Sequence, residues 1–231
     1  MDDAYEQIKD RIIDLRMSPG SSFSESGLAS ELGIGKTPVR EALVRLELEG
    51  LVEVIPRSGY RVAPVTLKDA RDLLDLRALL EAEAARLAAG HAEDGRSLRA
   101  LEGLCRASYN SRDLVSIRRF LRANTEFHAT IASVGGNQRL ARTLRQVLEQ
   151  LERLFHLGLA LSSREDEIVH EHQDLLEAIL RGDPGEAAAI ALAQCRTAQK
   201  MVIQALLSSE SVVNANVIAL PPSERRPAGK S

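Results

Sequence analysis

The stretch Ser24–Val62, SESGLASELGIGKTPVREALVRLELEGLVEVIPRSGYRV, constrains the fold more than any other part of the chain. Ser24 is placed to cap a short helix with Leu28, Ala29 and Leu32 apolar, and Gly33 closes it. Ile34-Gly35-Lys36 forms a turn, after which Thr37 and Pro38 predict a second helix with a hydroxyl N-cap followed by proline. That helix buries Val39, Leu43 and Leu46, which share one face, and Gly50 ends it. Leu51–Ile55 and Tyr60–Ala63 then predict paired strands around the turn Pro56-Arg57-Ser58-Gly59. Helix, turn, helix and hairpin in this order suit an element that enters a DNA groove with a wing beside it.

The apolar stripe decides which residues face outward. Lys36, Thr37 and Arg40 gather at the start of the second helix, with Arg45 further along. A helix N-terminus carrying a hydroxyl and cations can contact phosphates and base edges. On the hairpin, Arg57 and Arg61 are expected to reach the backbone or a neighbouring minor groove. The expected DNA-contacting set is Ser26, Gly35, Lys36, Thr37, Pro38, Arg40, Arg45, Arg57, Ser58 and Gly59. This reading does not rest on a basic domain: residues 1–66 carry eight Lys and Arg against eleven Asp and Glu, and the whole chain has a net charge of −3. Local placement of charge has to do the work instead.

Around this stretch, Tyr5, Ile8, Ile12 and Leu15 space out an amphipathic helix over Ala4–Arg16. Ala63-Pro64-Val65 reads as a short extended linker. Thr66 and Asp69 form a capping box that opens a long helix running from Leu67 to about Ala89. Further helices are predicted over Ser97–Tyr109, Asp113–Val134, Gln138–Leu161, Arg164–Leu180 and Glu186–Leu207, with Gly135-Gly136-Asn137, a capping box at Ser163–Asp166, and Gly182-Asp183-Pro184 as punctuation. No strand-like alternation follows residue 64. The expected fold is therefore mainly α: a winged helix-turn-helix over residues 1–63, a linker at 64–66, and an all-α helical bundle over 67–207. A polar tail, 208–231, is expected to be disordered.

Aromatic residues make up only 3% of the chain and Trp is absent, so Leu, Ala, Val and Ile must build the core. Cys105 and Cys195 sit in separate helices without metal-binding spacing, which argues against a disulfide framework or a Cys-rich zinc site. No apolar run is long enough to span a bilayer, and the acidic N-terminus lacks a secretory core, so a cytoplasmic location with no membrane partner is expected.

Inside the bundle, Asn124 and His128 are four residues apart and project from one helix face. His172 lies nine residues before Arg181 and Gln194 ten after Pro184. In a hairpin turning at 182–183, both sit roughly 14–15 Å from the turn at about 1.5 Å per residue, level with each other. Four polar side chains from three helices would then converge in an Ala/Leu core. The bland alternative is a core histidine bonded to a neighbouring carbonyl. His170 faces away from His172, and neither His91 nor His156 has an evident partner in the sequence. No nucleophile–base–orienter set emerges.

Pro19 to Val62 resembles the winged helix-turn-helix of GntR-type bacterial transcriptional regulators. The match is carried by Pro19-Gly20, Ser24-Glu25, Leu28-Ala29, Leu32-Gly33, Thr37-Pro38-Val39-Arg40-Glu41-Ala42-Leu43, Glu49-Gly50-Leu51-Val52 and Gly59. It departs at Gly35-Lys36, where family members often carry Ser-Arg; Lys36 supplies a point charge instead of a bidentate fork. Residues 67–207 resemble the FCD ligand-binding domain of the FadR branch, on Asp75, Arg77, Glu81, Ala84-Ala85, Asn124 with Phe127-His128, Gly136-Asn137, Glu171-His172 and Gly182-Asp183. The resemblance implies a divalent metal, zinc or similar, held by Asn124, His128, His172 and the Gln194 position, where many members have a third histidine. It also implies an organic-acid effector contacting these residues, with Arg77 as the carboxylate partner.

The resulting expectation is no enzyme but a homodimeric regulator, acting as a repressor on a double-stranded DNA operator under control of a small carboxylate. Two other readings stay open at this point: a metal-dependent enzyme built on the bundle, and an adaptor derived from such a regulator.

Overall fold

The computed structural model describes residues 2–91, 101–110, 112–160 and 165–208. The start of the helix expected over Ser97–Tyr109, the capping box expected at Ser163 and the tail beyond Ser208 lie outside the described residues.

The N-terminal unit consists of α1 (Asp2–Ile13), β1 (Ser22–Phe23), α2 (Glu25–Leu32), α3 (Lys36–Leu48), β2 (Val52–Ile55) and β3 (Gly59–Val62). Tyr5, Ile8 and Ile12 from α1, Leu28 from α2, Val39, Leu43 and Leu46 from α3, and Leu51 and Val62 near the strands close a separate apolar core. Ser24 caps α2 by accepting from the Gly27 amide at 3.0 Å. The start of α3 differs from the expectation. Its N-cap is Gly35, which has no side chain to offer, so Thr37 lies within the first turn and its hydroxyl is not spent on capping. Pro38 is still tolerated, because first-turn amides have no intrahelical acceptor.

The wing is a three-stranded antiparallel sheet in the order β1-β3-β2: the expected β2–β3 hairpin with one strand added at its edge. The additional strand is two residues long and pairs Ser22 with Arg61 and Phe23 with Tyr60. The Phe23 and Tyr60 rings stack at 5.9 Å. Gly59 is obligatory here: its φ is 101°, and a Cβ would meet the Phe23 carbonyl oxygen at 2.7 Å. At the tip, the Ser58 amide donates to the Ile55 carbonyl at 3.0 Å, closing a turn with Pro56 and Arg57 at its centre. Arg57 takes a φ of 66°, a left-handed value usually left to glycine.

The C-terminal unit is a helical bundle of α4 (Leu67–Ala89), α5 (Leu114–Val134), α6 (Gln138–Ala160), α7 (Glu165–Leu180) and α8 (Pro184–Ser208), with residues 101–104 also helical. Caps fall where their chemistry predicts. Thr66 accepts from the Asp69 amide at 3.0 Å, Asp113 from Val115 at 2.9 Å, Asn137 from Leu140 at 3.1 Å, and Asp183 from Glu186 at 2.9 Å. α4 packs along α8, and α5 along α6.

Two apolar clusters fill this bundle. One contains Ala84, Ala88, Phe127, Ile131, Leu144, Leu175 and Ala191; the other contains Leu74, Phe120, Leu121, Leu154, Phe155, Met201 and Val202. Between them α4 places Arg77 and Glu81, α5 places His128, α7 His172, and α8 Gln194 and Cys195, all buried. The core is thus interrupted by one polar layer, reached by four helices at the same height.

Candidate nucleic-acid interface and effector pocket

Lys36, Thr37 and Arg40 are exposed together at the open end of α3, and Ser26 is exposed on α2. Because Gly35 leaves the helix uncapped by a side chain, the amides of the first turn stay available to an external acceptor such as phosphate. Arg57 and Ser58 are exposed at the wing tip. Two of the expected arginines are employed elsewhere. The Arg45 guanidinium lies 3.8 Å over the Tyr5 ring of α1 and lines a cleft facing the bundle, away from Lys36 and Arg40. Arg61 donates to Glu53 from Nε at 3.0 Å and Nη2 at 2.6 Å, a cross-strand pair set by the β2–β3 register. Arg45, turned toward Tyr5, leaves the DNA-contacting set, whereas Arg61 stays on the wing in a surface ion pair with its side chain 41% exposed.

In the polar layer, Arg77 Nε donates to Glu81 Oε1 at 2.5 Å. The other carboxylate oxygen of Glu81 lies 3.1 Å from His128 Nδ1 and accepts from the Cys195 thiol at 3.3 Å. Burial opposes the charge on Glu81, but Arg77 and His128 hold its carboxyl well below the usual carboxylate range. Burial likewise works against Arg77, and Glu81 outweighs it, so the guanidinium stays charged. Burial, reinforced by Glu81, pushes the Cys195 thiol well up. Arg77, expected as the carboxylate partner of an effector, is buried and ion-paired with Glu81, with its guanidinium 4.9 Å from the Phe155 ring.

His172 stands beside this network, its ring 5.2 Å from that of His128 and 4.5 Å from Phe127. Burial, followed by His128, drives its pKa well down, so its ring is neutral. Gln194 donates its amide to the Glu171 carbonyl, which leaves its Oε1 turned the other way. His128 Nε2, His172 Nδ1 and Gln194 Oε1 are all buried without a hydrogen-bond partner. All three residues line one cavity together with Arg77, Asn124 and Phe155. The expected convergence of Asn124, His128, His172 and Gln194 is thus present in the geometry. Glu81 is an addition, for which the i, i+4 spacing from Arg77 was a legible signal; Cys195, the residue next to Gln194, was the alternative that a one-residue slip in register would have brought to this site. Buried polar atoms without protein partners are uncommon in folded proteins, and three of them belong to side chains around this one cavity. The space for water-sized molecules there is about 40 Å³, enough for a few waters. Among the described residues no group of three or more His, Cys, Asp and Glu is placed to hold a metal ion.

Two of the helices that line the cavity, α5 and α6, also hold the winged unit. Asn124 lines the cavity while the adjacent Thr125 donates to Glu152 at 2.7 Å in the cleft on the winged side. Lys9 of α1 donates to Glu149 at 2.8 Å, to Glu49 at 3.1 Å and to the Tyr5 hydroxyl at 2.7 Å. Gln150 donates to the Glu49 carbonyl at 2.8 Å, Arg118 lies 2.7 Å from Asp14, and Arg122 pairs with Asp10. Arg153, also buried, donates to the Ala63 carbonyl of the linker at 2.8 Å; burial, opposed by the charge of Asp69, lowers its pKa to about 10. His156, likewise buried, sits near Asp14 and Arg118 with its Nε2 unpartnered.

Among the described residues no helix is long and apolar enough to cross a membrane. Comparison with known proteins agrees with this architecture. Residues 1–62 match the model for bacterial regulatory proteins of the gntR family, and residues 72–196 match the FCD domain. An HTH-type transcriptional regulator in an unstable DNA locus of Streptomyces ambofaciens is 30% identical over 189 residues, covering 78% of this chain and 75% of that protein. The HTH-type transcriptional repressor GlaR of Escherichia coli K12 is 29% identical over 225 residues, covering 88% and 96%. Among solved structures, E. coli McbR/YncC shares the fold with a TM-score of 0.70 at 20% identity, over 87% of this chain and 96% of that one. The chain belongs to the GntR family of bacterial transcriptional regulators, in the branch that carries an FCD domain.

Proposed function

We propose that this regulator is a homodimeric repressor whose hold on an operator is set by a small carboxylate bound in the polar layer of its FCD domain. Members of the family are DNA-binding transcriptional regulators and not enzymes, and they commonly dimerise and respond to small molecules. That background favours the regulator over the enzyme and adaptor alternatives. Relatives named as repressors, GlaR among them, support the direction of control.

The proposed DNA surface is Ser26, Gly35, Lys36, Thr37, Pro38 and Arg40 with the wing tip Arg57, Ser58 and Gly59. Lys36 and the uncapped amides would take phosphate, Arg40 a base edge, and Arg57 the backbone beside the groove. A dimer would set two such surfaces on the halves of a near-palindrome.

The observation that carries the effector reading is the trio of unpartnered buried atoms, His128 Nε2, His172 Nδ1 and Gln194 Oε1, around a single cavity beside Arg77. A carboxylate bearing hydroxyl or amine donors would satisfy these atoms and add a second anion to Arg77 beside Glu81. At about 40 Å³ the cavity is too small for such a molecule, so its entry requires the helices to part. Movement of α5 and α6 would reach Lys9, Asp10 and Ala63 through the contacts that these helices make on their other faces. Binding would then bias the winged unit between DNA-competent and incompetent placements.

FCD domains in some family members bind a metal. Here the matching donors are two imidazoles and the neutral amides of Asn124 and Gln194. Their lone pairs suit a divalent ion in kind but form a weaker set than one with a carboxylate or third imidazole. Bound there, such an ion would supply positive charge to a carboxylate. A thermal-shift screen of organic acids, with and without zinc, tests the pocket. Stabilisation by a carboxylate in the full chain but not in His172→Ala supports it. A flat screen in which neither acids nor zinc shift the midpoint would leave the layer as a structural polar network.

A further inference from the structure

The recognition surface contains an acid in an unexpected place. Glu25, in the first turn of α2, accepts from Arg40 Nε at Oε2 and from Arg40 Nη2 at Oε1, both at 2.9 Å. The Arg40 side chain nevertheless remains 64% exposed, whereas that of Glu25 is 16% exposed. A two-point grip of this kind fixes the guanidinium plane, not only its position. It uses the Nε edge and one Nη2 hydrogen. Nη1 and the second Nη2 hydrogen are left pointing outward, and those are the donors that meet O6 and N7 of guanine side by side. The Arg40 bond, with the nearby charges of Arg40 and Lys36, holds the Glu25 carboxyl down, so the grip is ionic at neutral pH.

A carboxylate beside a DNA-binding helix also has an electrostatic consequence. It repels phosphate at any sequence, while its orienting effect helps only where a guanine meets Arg40. The repulsion lowers affinity for all DNA alike, whereas the orienting effect widens the gap between specific and non-specific binding, because specificity is a difference of affinities. We infer that Glu25 is a specificity-determining positioning residue: it aims Arg40 at a guanine edge and penalises binding to DNA that offers none. The inference rests on the DNA-contact role proposed for Arg40 and adds a residue that would itself touch no base.

The test starts from the duplex that the unmodified full chain enriches from a randomised library, and from a scrambled duplex of equal length. Glu25→Gln keeps the side-chain shape and one acceptor but removes the charge. The ratio of the two affinities is expected to fall roughly tenfold to hundredfold, the range for one good arginine–guanine contact. Most of the loss should appear at one guanine when single base pairs are exchanged, and affinity for the scrambled duplex should rise. In an Arg40→Ala background Glu25→Gln should leave the ratio unchanged, because a residue acting through Arg40 has nothing left to aim. An unchanged ratio for Glu25→Gln, or an equal loss with and without Arg40, overturns the inference. So does tighter specific binding, which would mean that Glu25 merely occupies Arg40. If the unmodified chain enriched no duplex, the DNA-contact reading beneath it would fall first, and that outcome is recognisable before any variant is made.

Discussion

Arg57 separates two contributions that usually travel together, because its backbone conformation is costly while its side chain is free to bind. With a φ of 66° it sits where an L-residue is disfavoured by about 1–2 kcal/mol. Replacement by glycine removes that strain but gives the unfolded chain extra freedom, worth about 0.4–1 kcal/mol against the fold. The net expectation for Arg57→Gly is a winged unit of equal stability or up to about 1.5 kcal/mol more stable, the difference between these ranges. Arg57→Ala keeps the strain and removes only the charge. If the wing cation neutralises a phosphate, each variant loses one counterion-releasing contact per protomer. The slope of log affinity against log salt should then fall by about 0.9 per protomer for both. Thermal denaturation and anisotropy titrations across a salt series read the two effects independently. Arg57→Ala binding with unchanged affinity and slope would refute the wing contact. An Arg57→Gly protein less stable than the parent by more than about 1 kcal/mol would refute the strain argument.

Three other outcomes follow from the structure. Burial raises the pKa of Glu152 to about 7 from 4.5, against opposing bonds from Thr125 and charges from Lys9 and Arg122. The folded state therefore binds the proton more tightly, and stability should fall as pH rises from 4.5 through about 7 and then level off. Glu152→Gln should flatten this dependence and raise the melting temperature at pH 8; a parent-like profile in the variant would exclude Glu152 as its source. Arg77→Met would leave Glu81 charged and buried without its cation, costing roughly 3–5 kcal/mol in chemical denaturation. A loss under about 1 kcal/mol would mean that Glu81 had simply taken up a proton. Gly59→Ala forces a Cβ to within 2.7 Å of a backbone oxygen at positive φ, so the wing should be disrupted and DNA affinity lost, with the bundle's own unfolding transition retained.

Much of the fold was legible because it is written locally. Ser24, Thr66, Asp113, Asn137 and Asp183 act on amides two or three residues away, so spacing alone places them. Gly59 and the Pro56-Arg57 turn are local in the same sense. Strand β1 was not legible, since two residues carry no periodicity and their pairing is with residues some forty positions away. At Arg45, exposure was correctly expected but the direction was not. The Tyr5 ring that receives it belongs to another helix, and nothing in the α3 pattern announces it. The Arg61–Glu53 pair had a signal in the hairpin register, which sets these residues directly opposite. In the bundle, the level placement of His172 and Gln194 came from counting residues back from a turn. The role of Glu81 needed the packing of α4 against α5 and α8, which single-helix periodicity does not contain. The contacts from Lys9 to Glu149 and from Arg153 to Ala63 are of the same non-local kind.

The central claim is that the open end of α3 reads DNA, and Arg40 tests it most directly. Anisotropy titration of the selected duplex with Arg40→Ala should show affinity weakened roughly tenfold to hundredfold, as expected for one bidentate base contact. An affinity equal to that of the unmodified chain, at the same salt, would contradict the assignment of α3 as the recognition helix.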